Sequence, residues 1–147
     1  MDVVASVEVP VSVEKLFDFV ADLGNYPRWL ELVHEVSSLN EVEGPNPVWV
    51  VELRARLGIF ARSKRLRMSR TAFARPRVVV FERDEKDGRK HSAWVLKAAV
   101  TATPNGSMLE ANLHYSGSLF TGGVLERALA DQINAAREKL VGSLSAN

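Results

Sequence analysis

Several cationic side chains stand where the alternation of a strand would place apolar ones. Between Phe60 and Arg70 every second residue is Arg62, Lys64, Leu66, Met68 and finally Arg70. Three bases therefore share one face with large apolar groups. Arg83 follows Phe81 in the same phase. Cations on an apolar face would hold the carboxylate or phosphate end of an otherwise apolar ligand. Arg62 and Lys64, close to an expected hairpin tip, are the first candidates for that role. The competing reading is that the long stems snorkel and keep their charge in water. Tyr115, in the same inward phase, would polarise a carbonyl and move protons if Arg70 or Arg83 stood beside it. The competing reading is a phenol bonded to a neighbour.

Other chemistries lack their residues. With no cysteine, there is no thiol nucleophile, disulfide or thiolate-held metal. His34, His91 and His114 are scattered, without metal-ligand spacing. No G-x-S-x-G elbow, phosphate loop or dinucleotide fingerprint occurs. No cofactor is expected.

The elements that must position these residues can be read in order. Val3, Ala5, Val7 and Val9 alternate as a half-buried strand that Pro10 ends. Ser12 caps a helix through about Ala21, with Val13, Leu16, Phe17 and Val20 as its stripe. A second short helix is expected over Tyr26–Leu30, with Pro27 in its first turn. A strand over about His34–Glu41 and a turn at Gly44–Pro47 follow.

Three hairpins come next. A turn at Gly58-Ile59 pairs Leu57 with Phe60, Leu53 with Lys64, Val51 with Leu66 and Trp49 with Met68. A turn at Asp87-Gly88 pairs Phe81 with Trp94 and Val79 with Leu96. A turn at Asn105-Gly106 pairs Val100 with Ala111, Ala98 with Leu113 and Leu96 with Tyr115. The last two hairpins share a strand and agree on its inner face. After a Gly117–Gly123 loop containing Phe120, a helix runs from about Val124 to Leu144. Its stripe includes Leu125, Leu129, Ile133 and Leu140, interrupted by Gln132. One apolar helix face and one apolar sheet face must cover each other. The expected fold is α+β: a seven-stranded antiparallel sheet curled around a long C-terminal helix, with two short helices between strands 1 and 2.

The inward set from the sheet is Trp49, Leu53, Leu66, Met68, Phe81, Trp94, Leu96, Leu113 and Tyr115. By spacing alone it is either packed core or the wall of an apolar pocket.

The chain has 147 residues, 46% hydrophobic and 25% charged, which fits one folded domain. Its net charge of +1 hides a sharp asymmetry. Residues 1–53 sum to −8, residues 54–77 carry nine bases and no acid, and the remainder balances. The outer face of the first hairpin collects Arg54, Arg56, Arg65 and Arg67. Three uses fit it: a solvated hairpin guarded by charge, contact with an anionic macromolecule or membrane surface, or pairing with the acidic third of a second copy in a homodimer. No apolar run approaches the ~20 residues of a membrane span, and the start lacks a basic leader. Cytoplasmic residence is the expectation.

The order strand, helix pair, six strands, long helix resembles the START-like helix-grip superfamily, and in particular bacterial polyketide cyclase/dehydrase-type (SRPBCC) proteins. The resemblance rests on Val3–Pro10, on the run Val11-Ser12-Val13-Glu14-Lys15-Leu16-Phe17-Asp18-Phe19-Val20-Ala21-Asp22, on Tyr26-Pro27-Arg28-Trp29, and on the closing helix. It covers nearly the whole chain and implies a single domain over 1–147. It also implies a cavity between sheet and helix, its mouth ringed by Gly58-Ile59, Asp87-Gly88 and the loop Phe120-Thr121-Gly122-Gly123. Members include carriers and cyclases. The expected function is binding of a small hydrophobic or amphipathic ligand. The alternatives are a cyclase/dehydratase, or an interaction protein using the basic hairpin.

Overall fold

The computed structural model describes residues 2–39, 46–57, 60–116 and 124–145, without the side chains of residues 55–57, 60, 124–126 and 128. The chain opens with β1 (Asp2–Val9), α1 (Val13–Val20) and a 3-10 helix (Leu23–Arg28). Then come β2 (Val33–Leu39), β3 (Val48–Leu57), β4 (Phe60–Ala74), β5 (Val78–Arg83), β6 (Trp94–Thr103), β7 (Gly106–Tyr115) and α2 (Val124–Ser145). All seven strands form one antiparallel sheet in the order β1-β7-β6-β5-β4-β3-β2. One face of the sheet is covered by α2, through Leu129, Ile133, Ala136, Leu140 and Leu144, all buried. This is the helix-grip architecture. Among the described residues, no helix is long and apolar enough to cross a membrane.

Local chemistry accounts for the helix ends. Ser12 is extended, and its hydroxyl accepts from Lys15 N at 3.2 Å, the N-cap geometry expected from sequence. Asp22 caps the 3-10 helix by accepting from Gly24 N at 2.8 Å. That helix starts three residues earlier than the expected second helix, so Pro27 lies near its end rather than in its first turn. Arg137 Nε donates to Glu8 O at 3.1 Å and Lys139 pairs with Glu31 at 2.8 Å; these contacts tie α2 to β1 and to the segment before β2.

The β3–β4 register is as expected, Leu53 opposite Lys64 and Trp49 opposite Met68. The turn at Gly58-Ile59, the loop Gly117–Gly123 with Phe120, and the side chains of Arg56 and Leu125 lie outside the described residues. So does Gly44-Pro45. The other two hairpins are each displaced by two residues. Phe81 faces Leu96 rather than Trp94, and Val79 faces Ala98 rather than Leu96. Likewise Val100 faces Leu109, Ala98 faces Ala111, and Leu96 faces Leu113. The reasons are local. Pro104, which has no N–H, occupies the turn itself, leaving Thr103 paired with Gly106. Between β5 and β6, Asp84–Ala93 forms a loop held by its side chains, with Gly88 at φ +72°, instead of a tight hairpin. A slip of two preserves the side-chain phase. Trp94, Ala98 and Val100 are accordingly buried on the inner face as expected.

Candidate ligand cavity

A cavity of about 60 Å³ lies between the sheet and α2. Four strands build its floor: β3 with Val51 and Leu53, β4 with Leu66 and Met68, β6 with Trp94 and Leu96, and β7 with Ala111 and Leu113. Leu129 and Ile133 of α2 form another wall. The remaining wall is the segment Leu23, Tyr26, Trp29, Leu30, Leu32 and Val33. The exposed lining is wholly apolar. Strand alternation supplies the floor, and the four-residue step of α2 presents Leu129 and Ile133 together.

Eight residues expected at the site line this cavity: Leu53, Leu66, Met68, Trp94, Leu96, Leu113, Leu129 and Ile133. Trp49 and Phe81 do not; they pack edge-to-face at 5.5 Å as core. Tyr115 stacks on Trp94 at 5.2 Å, rather than lying beside Leu96. Gln132 uses its side-chain oxygen to accept from Leu32 N at 2.6 Å, which fastens the Leu23–Val33 wall to α2. That wall was not anticipated, although Leu23, Tyr26 and Trp29 recur every third residue. A three-residue step is the signature of one face of a 3-10 helix. The Tyr26 hydroxyl donates to Val20 O at 2.9 Å, and burial pushes its pKa far above the phenol range, so it is no proton acceptor.

The inward cations fare differently from one another. Arg70 Nη1 donates to Ala21 O at 3.2 Å and its guanidinium lies 4.2 Å from the centre of the Phe73 ring. Arg70 thus binds the carbonyl that closes α1, a favourable place for a cation. Burial lowers its pKa, while Asp22 opposes that shift. Arg83, its side chain only 8% exposed, donates through Nε to Glu85 at 3.3 Å and through Nη1 to Ser92 O and Oγ at 3.2 and 3.1 Å. Its Nη2 lies 3.2 Å from His91 Nδ1, and His91 Nε2 lies 2.8 Å from Asp87. A guanidinium can only donate, so Nδ1 accepts and the imidazole proton sits on Nε2. Arg83 is the clasp of the 84–93 loop.

Arg62 is exposed. Lys64 stands opposite the cavity residue Leu53, half-buried, with no carboxylate at salt-bridge distance among the described residues. Burial lowers its pKa, repulsion from Arg83 adds to this, and Glu85 partly offsets it.

The arrangement does not assemble the acid–base pair considered from sequence. Arg70 sits on β4 and Tyr115 on β7, three strands apart, which is about 14 Å at normal strand spacing. Continuing the β5–β6 register by one position places Arg83 beside Trp94, with Tyr115 one strand further. His114 lies on the outer phase and bonds Asp2 at 3.0 Å. Among the described residues no group of acids and histidines could hold a metal ion. On the outer face Arg54 and Arg65 are exposed, whereas Arg67 is drawn onto the Asp84 carbonyl at 2.6 Å.

Residues 1–145 match the family model described as polyketide cyclase/dehydrase and lipid transport. The structure is similar to that of a START superfamily protein from Mycobacterium smegmatis, at TM-score 0.71 and 16% identity, covering 99% of this chain and 97% of that one. A protein from Thermus thermophilus superposes at TM-score 0.73 with 13% identity, covering 99% and 98%. The di-domain ARO/CYC protein StfQ of the steffimycin biosynthetic pathway matches at TM-score 0.61 and 14% identity, over 99% of this chain and 49% of that one. At such identities the likeness establishes the fold alone. No curated protein matches the sequence.

Proposed function

Because the chain belongs to the polyketide cyclase/dehydrase and lipid transport family, we propose that it binds a small hydrophobic or amphipathic ligand, such as a lipid, polyketide or isoprenoid-like molecule, between the sheet and α2. The observation that carries this reading is the wholly apolar cavity with the half-buried Lys64 on the same face. Ligand pockets usually measure roughly 300–1,000 Å³, so a ligand of that size must spread these walls. The wall best suited to yield is the Leu23–Val33 segment, a short 3-10 helix and loop whose polar ties to α2 among the described residues are the Gln132 bond and the exposed Lys139–Glu31 pair. Lys64 takes the anionic end of an amphipathic ligand. Arg62, Arg70 and Arg83 are set aside for that role, the first because it is exposed and the other two because their donors are engaged.

The test compares a medium-chain fatty acid with its alcohol. Lys64→Glu should weaken the acid roughly tenfold or more, the scale of one charge-assisted hydrogen bond, and leave the alcohol nearly unchanged. Arg54→Glu on the opposite face should affect neither ligand, and should weaken only a salt-dependent contact with an anionic macromolecule or membrane. Equal loss of acid and alcohol in Lys64→Glu would remove the head-group role. Failure of both ligands to bind the unmodified protein would remove the cavity reading.

A further inference from the structure

Two donors at this cavity have nothing to donate to among the described residues. The indole N–H groups of Trp29 and Trp94 are buried and find no acceptor there. Both residues line the cavity and are only 2% and 3% exposed. Nearby polar groups are satisfied: the Tyr26 hydroxyl by Val20 O, and the Gln132 oxygen by Leu32 N. The remaining unbonded buried polar atom among the described residues, Thr103 Oγ1, belongs to the end of β6 and is not part of the cavity lining. Buried donors are almost always paired, and an unpaired one calls for a reason. Two such donors around one cavity have a common reason if the occupant brings the acceptors.

We propose that Trp29 and Trp94 read oxygen acceptors on the ligand, so that the preferred occupant is an apolar molecule carrying ketone, ester or ether oxygens along its body rather than a plain hydrocarbon. This rests on the ligand-binding reading above and sharpens it. The exposed lining is apolar at the present volume. Neither N–H faces the space at that volume, so the proposal requires that both come within reach as a ligand spreads the wall. Trp29 ends the 3-10 helix and Trp94 begins β6, so the two donors belong to different walls of the cavity and would hold a ligand at two points. A tryptophan N–H donates only. Hydroxyl hydrogens and ammonium groups are thereby rejected at these two points, and a hydrocarbon leaves both donors unpaired.

The probes are cyclohexanone and methylenecyclohexane, which share a shape and exchange an oxygen for a CH2. Protein labelled with 15N at tryptophan gives three indole signals, with Trp49, absent from the cavity lining, as internal control. Cyclohexanone should move the Trp29 and Trp94 N–H protons downfield and leave Trp49 in place; methylenecyclohexane should move none downfield. Trp29→Phe and Trp94→Phe keep an aromatic ring and remove the donor. Each should weaken cyclohexanone about three- to tenfold and change methylenecyclohexane less than twofold. Should a Phe variant fail to fold, the comparison of the two probes on the unmodified protein decides alone. Binding of both probes without a downfield shift would overturn the acceptor-reading role and leave the apolar cavity standing. Binding of neither would overturn both.

Discussion

Phe81→Ala should lower the unfolding free energy by about 3–5 kcal/mol, the cost of deleting a fully buried aromatic ring. Phe81 is 0% exposed and faces Leu96 across β5–β6. Its ring meets Trp49 edge-on at 5.5 Å and Tyr26 at 6.2 Å. The ring therefore couples the sheet to the 3-10 helix, and its loss removes packing on both sides. Phe81 itself is not part of the cavity lining. Phe73→Ala is the control. That ring is 49% exposed, touching Phe17 at 5.4 Å and Arg70. Its removal should cost about 1 kcal/mol or less. Urea unfolding followed by tryptophan fluorescence measures both. A loss below about 1 kcal/mol for Phe81→Ala would mean that the ring does not occupy the centre of the core.

Gly106→Ala should cost about 3 kcal/mol, at the upper end of overpacking losses. A Cβ there would fall 2.2 Å from Val9 O and 2.8 Å from Pro10 Cα. Both are backbone atoms that cannot rotate away. Gly106 begins β7 beside the end of β1, where Val9 pairs with Ser107. The Ser107 hydroxyl donates to Val11 O at 2.8 Å, fixing the approach to α1. A methyl at 106 would force β1 and the α1 entry apart together. Gly142→Ala, exposed in α2 with open space around its Cβ, should instead stabilise by about 1 kcal/mol, because glycine is the poorer helix former. Equal small effects at the two glycines would show that β1 does not close over Gly106 as described.

Side-chain phase was the most legible property of the chain. Val9, Trp49, Leu66, Phe81 and Trp94 were all expected on inner faces, and all are buried. Phase survives a slip of two residues, whereas pairing does not. That is why two hairpins kept their faces and lost their partners. The turn motif Asp87-Gly88 looked like a tight hairpin, yet Arg83, His91 and Ser92 build a broader loop through side-chain bonds that no local turn rule contains. Cation partners were harder to read for a related reason. Inner-face carboxylates are scarce in the sequence, so Arg70 and Arg83 looked free for a ligand. Arg70 instead bonds Ala21 O, and Arg83 bonds Ser92 O together with side chains of the following loop, Glu85, His91 and Ser92; carbonyl oxygens are carried by every residue, so no composition reveals them. The Leu23–Val33 wall was missed because a short 3-10 segment carries little of the 3.6-residue signal by which helices are recognised.

The central claim is that the cavity between the sheet and α2 takes an apolar ligand. Native mass spectrometry tests it most directly, on protein as purified and again after incubation with a medium-chain acid or methyl ketone. The account predicts a one-to-one adduct that collisional activation releases, and its loss in Ala111→Phe, where a ring from β7 would fill the space beneath Leu129 and Ile133. The mass of the chain alone before and after incubation, or an adduct that Ala111→Phe retains in full, would contradict it.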